Sequence, residues 1–351
     1  LVIHDYFSAD LQSASNAALI ESVIQETTAN IGRLYSNPGE VSILFTGNLI
    51  SQIGIGGSRG TYYALYAGDY NYLSAFNSAA HPENHAQAEA LQYLGYGNAA
   101  DPSSVLLVTS ANLGALGIAA PGAYDLNGDF QGGGPNVLGG IDGVIDLKLP
   151  MLSFDPNPPA YDGTNVLYAA RNVIGHEVDE VLGIGGAGSN LNNIYALSNG
   201  GTTGDPALDA FYLHAFGVLD RFRYAAPGVP TLSQDPFAPG YFSLDGGQTD
   251  LADFNNYPGY GDAGDLALST ECPDHPGLYG GAFGAIQNAF NCPNLPSVKL
   301  HRGMVEDLML QSIGYNPAVP EPGTWAMMLA GLFLAGWRLR GRRIGGAGLG
   351  S

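Results

Sequence analysis

Apolar positions recur at helical spacing over residues 13–35, where Ile20, Val23, Ile24, Ile31 and Leu34 share one face behind a Ser- and Asn-rich start. The run Val41 to Thr46 then reads as a strand. Residues 69–96 predict two short helices split at His81-Pro82, because the residue before a proline is driven out of the helical region. Val105 to Thr109 and Gly143 to Lys148 predict two more strands, with a glycine-rich loop over 110–141 between them. A helix is expected from about Asn165 to Leu182, stopped by Gly183 and the run Gly185 to Gly188. A further helix is expected over Pro206 to Phe216. Residues 225–297 read as irregular. A last helix follows, capped by Ser297, with Val305, Leu308, Met309 and Ile313 on one face and Gly314 at its end. There is no internal repeat, and this order of elements predicts an α+β body in one domain.

The pattern changes at the end of the chain. Val319-Pro320-Glu321-Pro322-Gly323-Thr324 is followed by an uncharged run to Trp337, then by Arg338, Arg340, Arg342 and Arg343. A rigid turn, an apolar segment and a basic cluster in that order predict a membrane tail with its arginines on the cytoplasmic side. Thr324 to Trp337 reaches only ~21 Å as a helix, against a hydrocarbon slab of ~30 Å, so snorkelling arginines and a thinned bilayer would make up the rest. A buried C-terminal helix is the plainer alternative, which two prolines and four arginines argue against.

The tail resembles the PEP-CTERM sorting signal of Gram-negative bacteria. That resemblance implies transient anchoring at the inner membrane and processing near Pro320, Glu321 and Pro322 by an exosortase. Delivery to the cell surface or the extracellular matrix would follow. The expected organisation is an exported domain over 1–318, the sorting signal with its transmembrane segment over 319–343, and a Gly-rich end over 344–351. Such a tail also implies a leader peptide that is not among these residues, so a chain starting at Leu1 reads as trimmed.

Charge sharpens the picture. All 32 acidic residues and 8 of the 12 basic ones precede Arg338, so that stretch carries −24 and the four terminal arginines return +4. Nucleic acid is excluded as a partner, since a phosphate backbone needs a basic surface. The two cysteines, Cys272 and Cys292, lie in one late segment. In an oxidising compartment they are expected to pair; the alternative is two free thiols.

Candidate chemistry concentrates in Arg171 to Gly183. His176 and Glu180 are four apart, about 40° from each other on a helix, and Glu177 borders the same face. Leu167, Ile174, Val178 and Val181 would form the buried side, with Asp179 directed to solvent. An imidazole and a carboxylate at that spacing suit zinc, with Glu177 as general base, although a solvated acidic helix end has the same pattern. The segment resembles the His-Glu-x-x-His helix of zincin metallopeptidases, and in its extended form the metzincins, with matches at His176, Glu177 and Gly183. It departs where Glu180 and Gly186 stand in place of histidines. An anionic ligand at 180 lowers the effective charge on the metal and acidifies water less.

Similarity to a group of PEP-CTERM-tailed metallopeptidase-like proteins extends through Leu219–Tyr224, Tyr241–Gly247, Tyr260–Asp262 and Ser312–Tyr315. It implies a zincin-like fold with a central active-site helix. The third ligand must come from elsewhere: Asp209 is favoured, with Asp205, His214, Asp220 and His275 as other choices. Calcium is a second expectation, at Asp125-Leu-Asn127-Gly-Asp129, which equally reads as an Asx turn, or along Asp245, Asp250, Asp253, Asp262 and Asp265. The function expected from these residues is an exported zinc metallopeptidase acting on envelope or matrix protein. The alternatives are a non-catalytic surface or matrix protein on the same scaffold, or a calcium-stabilised adhesive module.

Overall fold

The structure, a computed structural model, describes residues 1–47, 54–93, 101–132, 140–160, 162, 164–233, 238–256, 261–267, 270–272, 279–280, 285–289 and 292–319. The chain divides into two units, Leu1–Pro317 and Ala318–Ser351. The apolar tail and its arginines lie outside the described residues. Among the described residues no helix is long and apolar enough to cross a membrane.

The first unit is a mixed α+β domain. It opens with β1 (Val2–Phe7), α1 (Ala9–Gln12), α2 (Ala17–Leu34), β2 (Glu40–Thr46), β3 (Gly56–Gly60), β4 (Tyr62–Tyr66), α3 (Ala67–Ala80) and α4 (His85–Tyr93). Next come β5 (Val105–Thr109), α5 (Ser110–Ala115), β6 (Gly143–Leu147), β7 (Leu152–Ser153), β8 (Tyr168–Ala169), α6 (Ala170–Leu182), α7 (Leu191–Ser198), α8 (Pro206–Tyr212) and β9 (Ala215–Gly217). The last stretch holds β10 (Arg223–Ala226), β11 (Val229–Pro230), β12 (Tyr241–Phe242), β13 (Ala252–Asp253), β14 (Thr270–Glu271), β15 (Tyr279–Gly280) and α9 (Val305–Ser312).

The main sheet has the order β1-β2-β6-β3. Its first three strands are parallel and β3 runs antiparallel along β6, pairing Gly56 with Leu147 and Gly60 with Gly143. Helix α6 packs across β3 and β6 on this sheet, with α2 beside it. The approach is close because Gly143 has no side chain: a Cβ there would stand 2.5 Å from Val181 Cγ2. Further sheets run β4-β5-β9 and β11-β10-β12-β13, with the pairs β7-β8 and β14-β15. Cys272 and Cys292 form a disulfide.

Most predicted elements stand, and their failures have identifiable causes. The first predicted helix starts at Ala17 rather than residue 13, behind the short α1, and Ile20, Val23, Ile24 and Ile31 are buried as the period requires. The central helix begins at Ala170 rather than Asn165, because Asp162 Oδ1 accepts from the Thr164 and Asn165 amides and holds a turn there. Leu167 therefore lies outside the helix. The helix over 206–216 stops at Tyr212, and Ala215–Gly217 pairs instead with β5. Ser297 does not cap α9; its hydroxyl donates to Pro156 O, and α9 starts after Met304. Part of the expected 110–141 loop is α5, capped by Thr109 Oγ1, which accepts from the Asn112 amide. Strands β1, β3 and β4 escaped the sequence reading; β3, Gly56-Gly-Ser-Arg-Gly60, carries no apolar side chain at all.

Gly183 ends α6 in the left-handed region, at φ 112°, with its amide on Asp179 O and Glu180 O. A Cβ there would also stand 3.0 Å from Thr109 Oγ1. Gly183→Ala is expected to lower stability by ~1–3 kcal/mol, read as a lower urea midpoint at unchanged slope.

Candidate functional site

Helix α6 is buried nearly all round, which is unusual for a segment with four ionisable residues in five positions. His176 and Arg171 are its partly exposed members, the His176 side chain 13% accessible. His176 Nδ1 lies 3.2 Å from the carbonyl oxygen of Ile286. Nδ1–H therefore donates to that carbonyl, and Nε2 faces the other way. Around Nε2 stand Glu180 Oε1 at 3.7 Å and Asp265 Oδ2 at 3.8 Å. These three groups each offer one donor atom within 4.8 Å of the others. Ligands at ~2.1 Å from a tetrahedral zinc are ~3.4 Å apart, so the two sides that meet at His176 Nε2, 3.7 Å and 3.8 Å, are slightly wider than a metal site needs.

Each carboxylate is aimed by neutral donors. Glu180 Oε2 accepts from Ser58 Oγ of β3 at 2.6 Å, and Glu180 Oε1 accepts from the Gly186 amide at 3.0 Å. Asp265 Oδ1 accepts from Gln287 Nε2 at 2.9 Å. Asp262 joins the edge of the group: its Oδ1 accepts from Asn192 Nδ2 at 2.8 Å. Its Oδ2 and Glu180 Oε1 stand 2.8 Å and 2.6 Å from where a Gly186 Cβ would be. Asn192 also donates to Gly261 O and accepts from the Ala263 amide, so one side chain grips three successive residues of the loop. Arg223 holds the same loop through Ala263 O, with its guanidinium 4.1 Å over the Phe254 ring.

Glu177 is 5% exposed and faces β3, where a Cβ on Gly56 would stand 2.5 Å from Glu177 Oε1; Glu177 Oε2 has no hydrogen-bond partner. Burial, then the Glu180, Asp265 and Asp262 carboxylates, push its pKa well above the ordinary range. Asp265 is raised by burial and by Glu180, and Asp262 is pushed up to about 8 by burial, Glu180 and Asp265. Tyr62 shows 44% of its surface, yet its hydroxyl end is enclosed beside Glu180 and Asp262, and burial raises its pKa. The exposed part is the ring; the hydroxyl is the part that bears on the site.

The sequence-predicted residues divide clearly. His176, Glu177 and Glu180 come together. Asp209 does not join them: it is half-buried and its carboxylate accepts from the Thr202 and Thr203 hydroxyls and the Thr203 amide. Asp205 caps α8 through the Ala207 and Leu208 amides, and Asp220 is tied to Ser189, Asn190 and Gly217. His214 is exposed, and His275 lies outside the described residues. The third group is Asp265, which the sequence reading placed in an acidic calcium loop; the Tyr-Gly-Asp segment just before it was the available signal.

Asp179 is also corrected. It is fully buried rather than solvent-facing, neither oxygen has a partner, and burial followed by Glu306, Glu180 and Asp307 raises its pKa. At the other calcium candidate, Asp125 accepts from the Asn127 and Asp129 amides and from Gln131, the Asx-turn arrangement. Asp245 is likewise engaged by Ser243 and Thr249.

The donor set fits a divalent cation on its own terms. Glu177 Oε2 is buried without a donor, and among the described residues no lysine or arginine pairs with Glu177, Glu180, Asp262 or Asp265. Uncompensated buried carboxylates are strongly destabilising unless they take up protons or a cation.

Residues 318–343 match the PEP-CTERM protein-sorting motif. No curated protein and no solved structure matches the chain. The motif implies an exported, surface-sorted protein of a Gram-negative bacterium, with membrane-associated sorting and an exosortase as its processing partner.

Without added metal, stability should fall as pH rises. A carboxyl whose pKa is higher folded than unfolded binds more protons in the folded state across the interval, so each upward step in pH favours unfolding. For Asp262 that interval runs from the ordinary 3.8 to about 8. The melting temperature in chelator is expected to drop between pH 5 and pH 8, and Asp262→Asn should flatten the slope. An equally steep slope in the variant contradicts the assignment.

Proposed function

We propose that this chain is an exported, metal-dependent hydrolase of peptide bonds with a zincin-like body. His176, Glu180 and Asp265 would hold a divalent cation, zinc first among the candidates because it takes imidazole and carboxylate at similar distances. The observation that carries this reading is the convergence of those three groups, from a helix and a distant loop, with Glu180 and Asp265 around the imidazole nitrogen that faces away from the Ile286 carbonyl. A cation bound there supplies Lewis acidity to the scissile carbonyl and makes water a better nucleophile.

The chain's own residues supply the rest. Glu177 is the general base, next to His176 and within a turn of Glu180 on the same helix: it takes a proton from attacking water and then passes it to the leaving amine. The Tyr62 hydroxyl, enclosed at the same place, is available as a donor to a developing oxyanion. Strand β3 supports a peptide substrate. Among the described residues it pairs only with β6, so its other edge offers backbone groups to an extended chain beside Ser58 and Gly56, which touch Glu180 and Glu177. The substrate class would be protein of the envelope or matrix, reached once the tail has been processed at the inner membrane.

Glu177→Gln is expected to lower hydrolysis of an unfolded protein substrate by ~10²-fold or more, with metal content per chain unchanged. Equal turnover would sink the peptidase reading, and a full complement of metal without turnover in the parent would favour the non-catalytic scaffold. The tail is tested separately. Changing Arg338, Arg340, Arg342 and Arg343 together to Gln should release the unprocessed protein from the inner membrane, measured by fractionation; unaltered retention and processing counts against the basic cluster as anchor.

A further inference from the structure

Gln287 takes no part in that scheme, yet its side chain ends inside the donor group. It is fully buried. Its root is pinned on both sides: its amide donates to Glu306 Oε1 at 3.0 Å, and its carbonyl accepts from the Leu266 amide at 2.8 Å, one residue beyond Asp265. The preceding carbonyl, of Ile286, is the one that orients His176. The dipeptide 286–287 therefore wraps the imidazole, with backbone at Nδ1 and side chain at Nε2.

Gln287 Nε2 lies 2.9 Å from Asp265 Oδ1 and 3.3 Å from His176 Nε2, while Gln287 Oε1 is buried without a partner. An NH2 group suits two acceptors when no cation is near. A cation drawing on the same lone pairs would repel those N–H dipoles and attract the amide oxygen. A half-turn of the amide exchanges the two atoms without moving the backbone, and Oε1 forfeits no hydrogen bond in turning. The 3.3 Å separation from His176 Nε2 also suits coordination, since neighbouring ligands at ~2.1 Å from one ion lie ~3.0–3.4 Å apart in octahedral or tetrahedral sites. The main chain leaves space for this amide: Gly185, at φ +59°, would drive any Cβ into Gln287 Nε2.

We propose that Gln287 is a further metal ligand at this site, binding a divalent cation through its amide oxygen. This rests on the metal-centre reading of His176, Glu180 and Asp265, and completes it as one imidazole, two carboxylates and one amide oxygen. That set holds zinc or manganese and lacks the thiolates that would select a softer ion.

The test is equilibrium dialysis of the full chain against Zn2+ alone, for the parent, Gln287→Ala, Gln287→Glu and His176→Ala. Gln287→Ala is expected to bind Zn2+ ~10–100-fold more weakly, with its metal-free melting temperature close to the parent's. Gln287→Glu, which keeps an oxygen at the same reach, should match or exceed the parent. Zn2+ binding in Gln287→Ala equal to or tighter than the parent's overturns the proposal, since the amide would then be filling the site rather than serving it. If Gln287→Ala does not fold, weaker binding by Gln287→Glu than by the parent overturns it. A parent that binds no more Zn2+ than His176→Ala removes the metal centre itself, a separate failure.

Discussion

Mutual repulsion among Glu177, Glu180, Asp262 and Asp265 is the constraint around which this domain is organised. Four carboxyl groups crowd one imidazole where little water reaches, and among the described residues no cationic side chain pairs with them. The fold answers with neutral donors: a serine hydroxyl, a backbone amide, an asparagine and a glutamine. Such donors orient anions without cancelling their charge. The need for protons or a cation therefore remains, and a dication is the species that several carboxylates together attract most.

Crowding on this scale also dictates where side chains are missing. Gly56 and Gly186 each face a carboxylate, and Gly185 the Gln287 amide, at distances that leave no room for a Cβ. Gly186 is instructive, because it stands where the extended metzincin pattern has its third histidine. Its amide instead binds Glu180, and the space a side chain would fill belongs to Asp262. The third donor thus arrives from a loop about eighty positions downstream of Glu180 in sequence, on Asp265. The supporting shell is built from segments far apart along the chain. Arg223, from the Leu219–Tyr224 stretch, grips the loop at Ala263. Tyr315, from the Ser312–Tyr315 stretch, donates to Leu182 O at the end of α6.

Much of the fold was legible. Helix α2 showed its buried face, β5 its limits, and the α3–α4 break sits where Pro82 required it. Those features depend on local period and on proline geometry, which act within a few residues. The all-round burial of α6 was not legible. Its period placed Asp179 outside, on the assumption that a charged residue seeks water; α9 and its acidic residues cover that face instead. Strand β3 was invisible for the opposite reason. Its glycines have no hydrophobic pattern, and its pairing with β6 is decided by a partner more than eighty residues away.

By itself, the sequence determined the sorting tail, the α+β class, the helix that carries His176, Glu177 and Glu180, and the glycine that ends it. Each of these follows from contiguous residues, since periodicity, charge order and backbone conformation are local properties. Tertiary structure alone decided that Asp265 rather than Asp209 completes the donor triangle, that Gln287 reaches Nε2, and that Glu177 lies against β3. Those placements depend on how a loop is held by Asn192, Arg223 and Glu306, contacts between groups far apart in the chain. A carboxylate in a loop has the same local signature whether it faces solvent or an imidazole, so only its folded neighbours distinguish the two.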